Sequence, residues 1–158
     1  MDLEFDNAMR RQVYSIPELI SQQYEVMEPR IREALTFDEI YSLQHIIITG
    51  CGDSMAAGMA VRHAFERLTG LPIEVLPAID VARHYPKTRV GGAPNCPLVI
   101  TVSNSGKVSR VKEAIERMKE LGALTLGMTS GSSTPLGSVC QKVIDTSIPS
   151  FESAPGVR

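Results

Sequence analysis

Val99-Ile100-Thr101-Val102-Ser103-Asn104-Ser105-Gly106-Lys107-Val108-Ser109 passes from a β-branched apolar run into two serines and a glycine, and a charged amphipathic stretch follows at once. A short run without polar alternation reads as a strand covered on both faces. The stretch from about Val108 to Leu121, broken at Gly122, reads as a helix. The first N–H groups of a helix have no internal acceptor, and its aligned peptide dipoles favour an anion there. Ser103, Ser105 and Ser109 add hydroxyl donors to such a nest and Asn104 adds an amide. Gly106 lets the backbone turn sharply and approach a ligand closely. The alternative is that Ser105 only caps the helix.

The same rhythm repeats on either side. His45 to Thr49 is a strand run, followed by the loop Gly50-Cys51-Gly52-Asp53-Ser54 and a helix over 55–69 that Gly70 closes. Ile73–Leu76 is the second strand, with a helix or turn over Ile79–His84, and Gly91 to Asn95 is a loop. Pro97–Val102 is the third strand and Leu124–Met128 the fourth. After Thr129 to Pro135, a short helix is expected to lead to a fifth strand, Val143–Ile148. Ahead of all this, Ile16–Leu35 reads as a helix. Pro17 suits its first turn, Leu19, Ile20, Gln23, Met27 and Ile31 form its stripe, and Pro29 kinks or divides it. Residues 36–44 are a linker or a turn of helix. The expectation is an α/β fold: a three-layer α/β/α sandwich with a five-stranded parallel sheet behind an N-terminal helix. Such sheets bind ligands outside the carboxyl ends of their strands, where the strand order reverses.

The chain has 158 residues, 43% of them hydrophobic, which suffices for one domain with a substantial core. Its formal charge of −2 argues against nucleic acid as the main partner, because such binding neutralises many backbone phosphates. A compact anion needs only a local nest of donors. No secretory signal and no bilayer-spanning run is read, and the odd cysteine count (Cys51, Cys96, Cys140) lacks metal spacing, so reduced thiols in the cytoplasm are expected. The chain stops at Gly156-Val157-Arg158 without a closing helix pattern and reads as part of a longer protein, the alternative being an ordinary disordered tail.

In the first loop, Ser54 suits a phosphate or a sugar hydroxyl, whereas Asp53 suits a helix cap or a sugar hydroxyl. Gly50-x-Gly52 lacks the third glycine of the dinucleotide fingerprint, and Gly106-Lys107-Val108 lacks the Ser/Thr of a P-loop. The loop Ser130–Thr134 either lends a hydroxyl, Ser132 included, or is an ordinary polar turn. Glu152, just past the fifth strand, is the local candidate for a catalytic base. His84 is a surface residue or approaches a neighbour's site; His63 and His45 read as structural. No metal cage or Ser-His-Asp triad is assigned.

These residues resemble the sugar isomerase (SIS) domain, in particular the first of the two in the isomerase half of glucosamine–fructose-6-phosphate aminotransferases and their tandem-domain relatives. Gly50-Cys51-Gly52-Asp53-Ser54 is similar to the family's CGTS loop, and Ser103-Asn104-Ser105-Gly106 to its SQSG or SxSG loop. Thr134-Pro135-Leu136 with Asp145 resembles its SxL…D segment, and Glu152 to Arg158 stands where relatives carry a PE…VASTK-like stretch. The resemblance covers about residues 40–158. It implies a flavodoxin-like SIS fold over 39–158 after a helical segment over 1–38. It also implies that Ser54, Ser103, Asn104 and Ser105 hold the sugar phosphate; with the loop reading above, the candidate site is Cys51, Gly52, Asp53, Ser54, Ser103, Asn104, Ser105, Gly106, Ser109 and Ser132. The chain departs from the pattern at Asp53 (threonine in CGTS), Lys107 (glutamate in the aminotransferase loop) and Val108 (often threonine).

The function this implies is aldose–ketose isomerisation, or deamination with isomerisation, of a sugar or amino-sugar phosphate. It proceeds by proton transfer through an enediol-like intermediate, with no cofactor. A non-catalytic sugar-phosphate sensor and an assembly scaffold are the competing classes. A homodimer and a second SIS domain are the expected partners; nucleic acid and membrane are not.

Overall fold

A computed structural model describes residues 6–150. Five parallel strands, β1 (Ile46–Gly50), β2 (Ile73–Pro77), β3 (Leu98–Val102), β4 (Leu124–Thr129) and β5 (Lys142–Asp145), pair in the order β2-β1-β3-β4-β5. The order reverses between β1 and β3, where Ile46 to Thr49 lie opposite Leu98 to Thr101. Every β1 residue is buried, as a central strand of a doubly covered sheet requires.

Alternation along the strands divides the core in two. Ile47 and Val99 point to one face with Val81, Val111, Ile115 and Met118 from α4 (Ala78–Arg83) and α5 (Ser109–Glu120). Ile46, Ile48, Ile73, Leu98, Leu124 and Ile144 point to the other, against Met27 and Ala34 of α1 (Ala8–Ala34) and Phe65 of α3 (Asp53–Thr69). Right-handed crossovers demand this division. The β1–β2 connection runs opposite to β3–β4, so α3 and α5 fall on opposite faces. Gly58 is the one buried residue of α3, because a Cβ there would stand 2.7 Å from the Ile48 side chain.

Three expectations change. The first helix begins at Ala8 rather than Ile16: the Asn7 side chain accepts from the Arg10 N–H and caps it. Pro17 therefore lies well inside, and α1 continues through both prolines. The carbonyls they leave without a helical donor belong to Val13 and Glu25, which are exposed to solvent. Second, no helix precedes β5. Residues 132–139 form successive turns in which the Thr134 hydroxyl accepts from Gly137 N–H and donates to Gly131 C=O. Such local side-chain bonds offer the backbone an alternative to helix. Third, β5 ends at Asp145 rather than Ile148. The linker 36–44 contains α2 (Phe37–Ser42), with a capping box between Thr36 and Glu39.

Candidate functional site

The loops after β1 and β3 meet at the point of strand reversal, and Gly50 is the joint between them. A Cβ on Gly50 would lie 2.9 Å from Ser54 Cβ, 3.1 Å from the Val102 carbonyl and 3.2 Å from the Met55 N–H nitrogen. Any side chain there would therefore push the start of α3 away from the end of β3. Gly52 turns the chain into α3 with φ 57°, leaving Cys51, Gly52 and Asp53 exposed and Ser54 half-buried.

After β3, Ser103 is 5% exposed and its N–H donates to Met128 C=O, continuing the sheet for one more residue. The chain then turns: Gly106 N–H donates to Ser103 C=O, and Gly106 takes φ 62°. Asn104, Ser105, Lys107 and Ser109 are exposed around this turn.

The third loop fixes the second from behind. The Asn104 carbonyl accepts from the Ser130 N–H (3.1 Å), the Ser130 hydroxyl (2.8 Å) and the Thr129 hydroxyl (3.4 Å). Leu136 N–H donates to Gly106 C=O at 2.9 Å. Gly106 itself lies against Thr129 and Thr134, whose hydroxyl oxygens would stand 2.6 and 2.5 Å from a Cβ at that position. Thr129, Ser130 and Thr134 thus clamp the loop. Sequence reasoning named the loop Ser130–Thr134, Ser132 included, as a hydroxyl source or a polar turn but missed the clamp; the available signal was a Thr-Ser pair at a strand end beside a glycine-containing neighbour. Ser132 is exposed and its backbone packs on Gly137.

Neither helix that starts here is capped. Of the three helices longer than ten residues among the described residues, α1 has a capping side chain, while α3 and α5 have none. Ser105 Oγ accepts from Lys107 N–H at 3.4 Å and does not cap α5, and Asp53 does not cap α3. The first turn of α5 holds no acidic residue, so nothing in that turn offsets the positive end of the helix. The first turn of α3 holds Asp53.

Cys51, Gly52, Asp53, Ser54, Ser103, Asn104, Ser105, Gly106 and Ser109 accordingly lie together at the carboxyl ends of β1 and β3. Glu152 lies outside the described residues. None of the described histidines joins them as a triad member: His45 Nε2 lies 2.7 Å from Glu74 before β1, His63 is exposed near Glu66, and His84 is exposed behind α4. Among the described residues no group of three or more His, Cys, Asp or Glu side chains is placed to hold a metal, and no helix is long and apolar enough to cross a membrane.

The clear pKa shifts lie away from these loops. Burial pushes the Cys140 thiol up to about 11. Burial, with the Glu74 carboxylate beside it, pushes Tyr85 up to about 12. A cleft of about 460 Å³ between α1 and β5, lined by Arg30, Glu33, Gln141, Lys142 and Asp145, is crossed by the chain's own charge pairs.

The sequence pattern of the SIS domain matches residues 39–153. A glutamine–fructose-6-phosphate aminotransferase (isomerizing) from Gloeobacter violaceus is 30% identical over 149 residues, covering 90% of this chain and 23% of that protein. The chain thus spans about a fifth of the length of the aminotransferases it matches. The C-terminal domain of glucosamine–fructose-6-phosphate aminotransferase from Francisella tularensis superposes with a TM-score of 0.72 at 18% identity, over 90% of this chain and 40% of that one. The sugar isomerase domain of the RpiR transcription factor from Sphaerobacter thermophilus gives a TM-score of 0.58 at 18% identity, over 83% and 75%. With the sheet order, the paired strand-end loops and this match in agreement, the chain belongs to the SIS domain family.

Proposed function

We propose that the chain is the phosphosugar-binding domain of an aldose–ketose isomerase, or of a deaminase/isomerase, acting on a sugar or amino-sugar phosphate. Residues 39–158 form the domain behind the helical segment 1–38. The observation that carries this reading is the pair of uncapped helix starts on adjacent strands, one of them fixed from behind by Thr129, Ser130 and Thr134. Ser103, Asn104, Ser105, Gly106 and Ser109 hold the phosphate with hydroxyl and backbone donors. Cys51, Gly52, Asp53 and Ser54 meet the sugar, and Ser132 borders the mouth. Fixing the phosphate positions the carbon chain, so that its binding energy serves orientation at the reacting end. A carboxylate then moves a proton between C1 and C2 through an enediol-like intermediate. Glu152 is the local candidate for that base, and a second SIS domain or a neighbouring subunit of a homodimer is the other source. The setting is the cytoplasm, in keeping with three free thiols.

Calorimetric titration with fructose 6-phosphate, against inorganic phosphate and unphosphorylated fructose, tests the reading. Saturable binding that needs both sugar and phosphate supports it. Silence toward all three from folded protein overturns it.

A second reading is a non-catalytic sugar-phosphate sensor, to which the absence of any histidine or glutamate from loop residues 51–54 and 103–109 is suited. Solvent deuterium exchange into C1 of fructose 6-phosphate separates the two: exchange marks the enzyme, and binding without exchange, in protein that carries its neighbouring subunit and any second SIS domain, marks the sensor.

A further inference from the structure

α1 is 27 residues long, about 40 Å, and not one of its residues is buried. Its apolar stripe has two fates. At Met27 and Ala34 it packs on the sheet face that also holds Ile46 and Leu98. Toward the N-terminus the same stripe runs on through Met9, Val13, Ile16, Ile20 and Tyr24, at spacings of three and four. None of these five side chains joins either core cluster of the described residues, and Ile20 and Tyr24 are 63% and 66% exposed. Pro17 and Pro29 lie inside the helix. Proline is the least favourable helix residue and each one deletes a main-chain bond, so a helix with two of them relies on packing for its support.

Charge along α1 is divided end from end. Residues 7–17 carry Arg10 and Arg11 and no acid, whereas residues 18–28 carry Glu18, Glu25 and Glu28 and no base. The Arg10 guanidinium lies over the Tyr14 ring, 5.4 Å from its centroid, and forms no ion pair among the described residues. The Glu25 carboxylate has no partner among them, and Glu28 pairs with Arg32 one turn on. Two such helices side by side and parallel would set like charge on like. An antiparallel pair, with its two-fold axis level with Glu18, sets Ile16 of each copy opposite Ile20 of the other. It also brings Arg10 and Arg11 to the turn that holds Glu25 and Glu28. The surface is therefore complementary to itself, as a two-fold interface requires. The five apolar side chains of two copies expose roughly 1,000 Å² in total, about the area at which a specific interface becomes stable.

We infer that the N-terminal two-thirds of α1 is a self-association surface, through which two copies of this chain pair antiparallel. The stripe then serves twice: its far end covers the chain's own sheet, and its near end joins a second copy. This concerns what the chain assembles with and is independent of what the loops at the sheet reversal bind.

The test is analytical ultracentrifugation of the whole chain from about 1 to 100 μM, where a monomer–dimer equilibrium is expected. Ile20 packs on neither core, so Ile20→Glu keeps the sheet intact, as amide NMR dispersion checks, and weakens the dimer at least about tenfold by burying an unpaired charge. Arg10→Glu with Arg11→Glu, and separately Glu25→Lys with Glu28→Lys, each weaken it about tenfold at about 50 mM salt. All four changes in one chain restore the dimer, because the exchanged ends again meet opposite charge. A chain that stays monomeric over the whole range overturns the assignment and leaves the stripe to a foreign partner or a further domain. A dimer indifferent to Ile20→Glu, or one that the four changes together do not regain, also overturns it.

Discussion

Ser130 donates twice to Asn104: its N–H lies 3.1 Å and its hydroxyl 2.8 Å from the same carbonyl oxygen. The loop after β4 thereby sets the shape of the loop after β3, although the two are separated by a whole helix in sequence. Ser130→Ala removes one of the two bonds. Thermal denaturation is expected to show a loss of about 1 kcal/mol. Titration is expected to show a several-fold weaker fructose 6-phosphate affinity, because the nest loosens. Unchanged affinity in the variant refutes the clamp.

Gly106 and Gly52 both take a positive φ, 62° and 57°, but have opposite surroundings. A Cβ at Gly106 meets the Thr129 and Thr134 hydroxyls within 2.6 Å, whereas one at Gly52 meets nothing within 4 Å. Gly52→Ala therefore suffers only the backbone strain of φ 57°, ψ −127°, which lies outside the left-handed helical well, about 2 kcal/mol. Gly106→Ala adds an overlap with the clamp and is expected to lose about 3 kcal/mol in urea denaturation, and phosphosugar binding with it.

Thr49 and Thr101 lie opposite one another in the β1–β3 register and both are fully buried. The Thr49 hydroxyl donates to Leu76 C=O at 2.9 Å, while the Thr101 hydroxyl has no partner among the described residues. The same substitution should therefore have opposite signs. Thr49→Val is expected to destabilise by about 1 kcal/mol, and Thr101→Val to stabilise by a similar amount by removing an unmet buried polar group. Paired urea titrations read both.

The Glu39 carboxyl is held below its usual range, chiefly by the Thr36 backbone N–H and then by Lys142. A folded-state pKa below the unfolded one means that the unfolded chain takes up the proton first. The stabilisation is complete above the unfolded value, near 4.3, and is lost as pH falls through the folded value. Glu39→Gln is expected to lower the urea midpoint at about pH 6 and to differ less from wild type at about pH 3. A gap that stays constant over that range contradicts the capping-box account.

Strand runs and their loops were legible because apolar run length and the Gly/Ser punctuation both report backbone state locally. The core strands begin and end within two residues of expectation, apart from β5 at its far end. What escaped the sequence was of two kinds, side-chain bonds that compete locally with helix and partners far along the chain. Asn7 capping replaces Pro17 as the helix start, since a buried apolar stripe is not needed where the helix runs exposed. The Thr134 hydroxyl bonds convert an expected helix into turns. Ser103 and Asn104 could be named from composition, but their support from Thr129 and Ser130 requires knowing that β4 lies beside β3.

The buried Gly106, packed against Thr129 and Thr134, divides labour within the loop: residues that set its shape are hidden, and Asn104, Ser105, Lys107 and Ser109 stand in solvent. Exchanges at such exposed tips cost a fold little. The groups that would meet a ligand can therefore change while the scaffold stays the same; recognition is free to diverge where architecture is not.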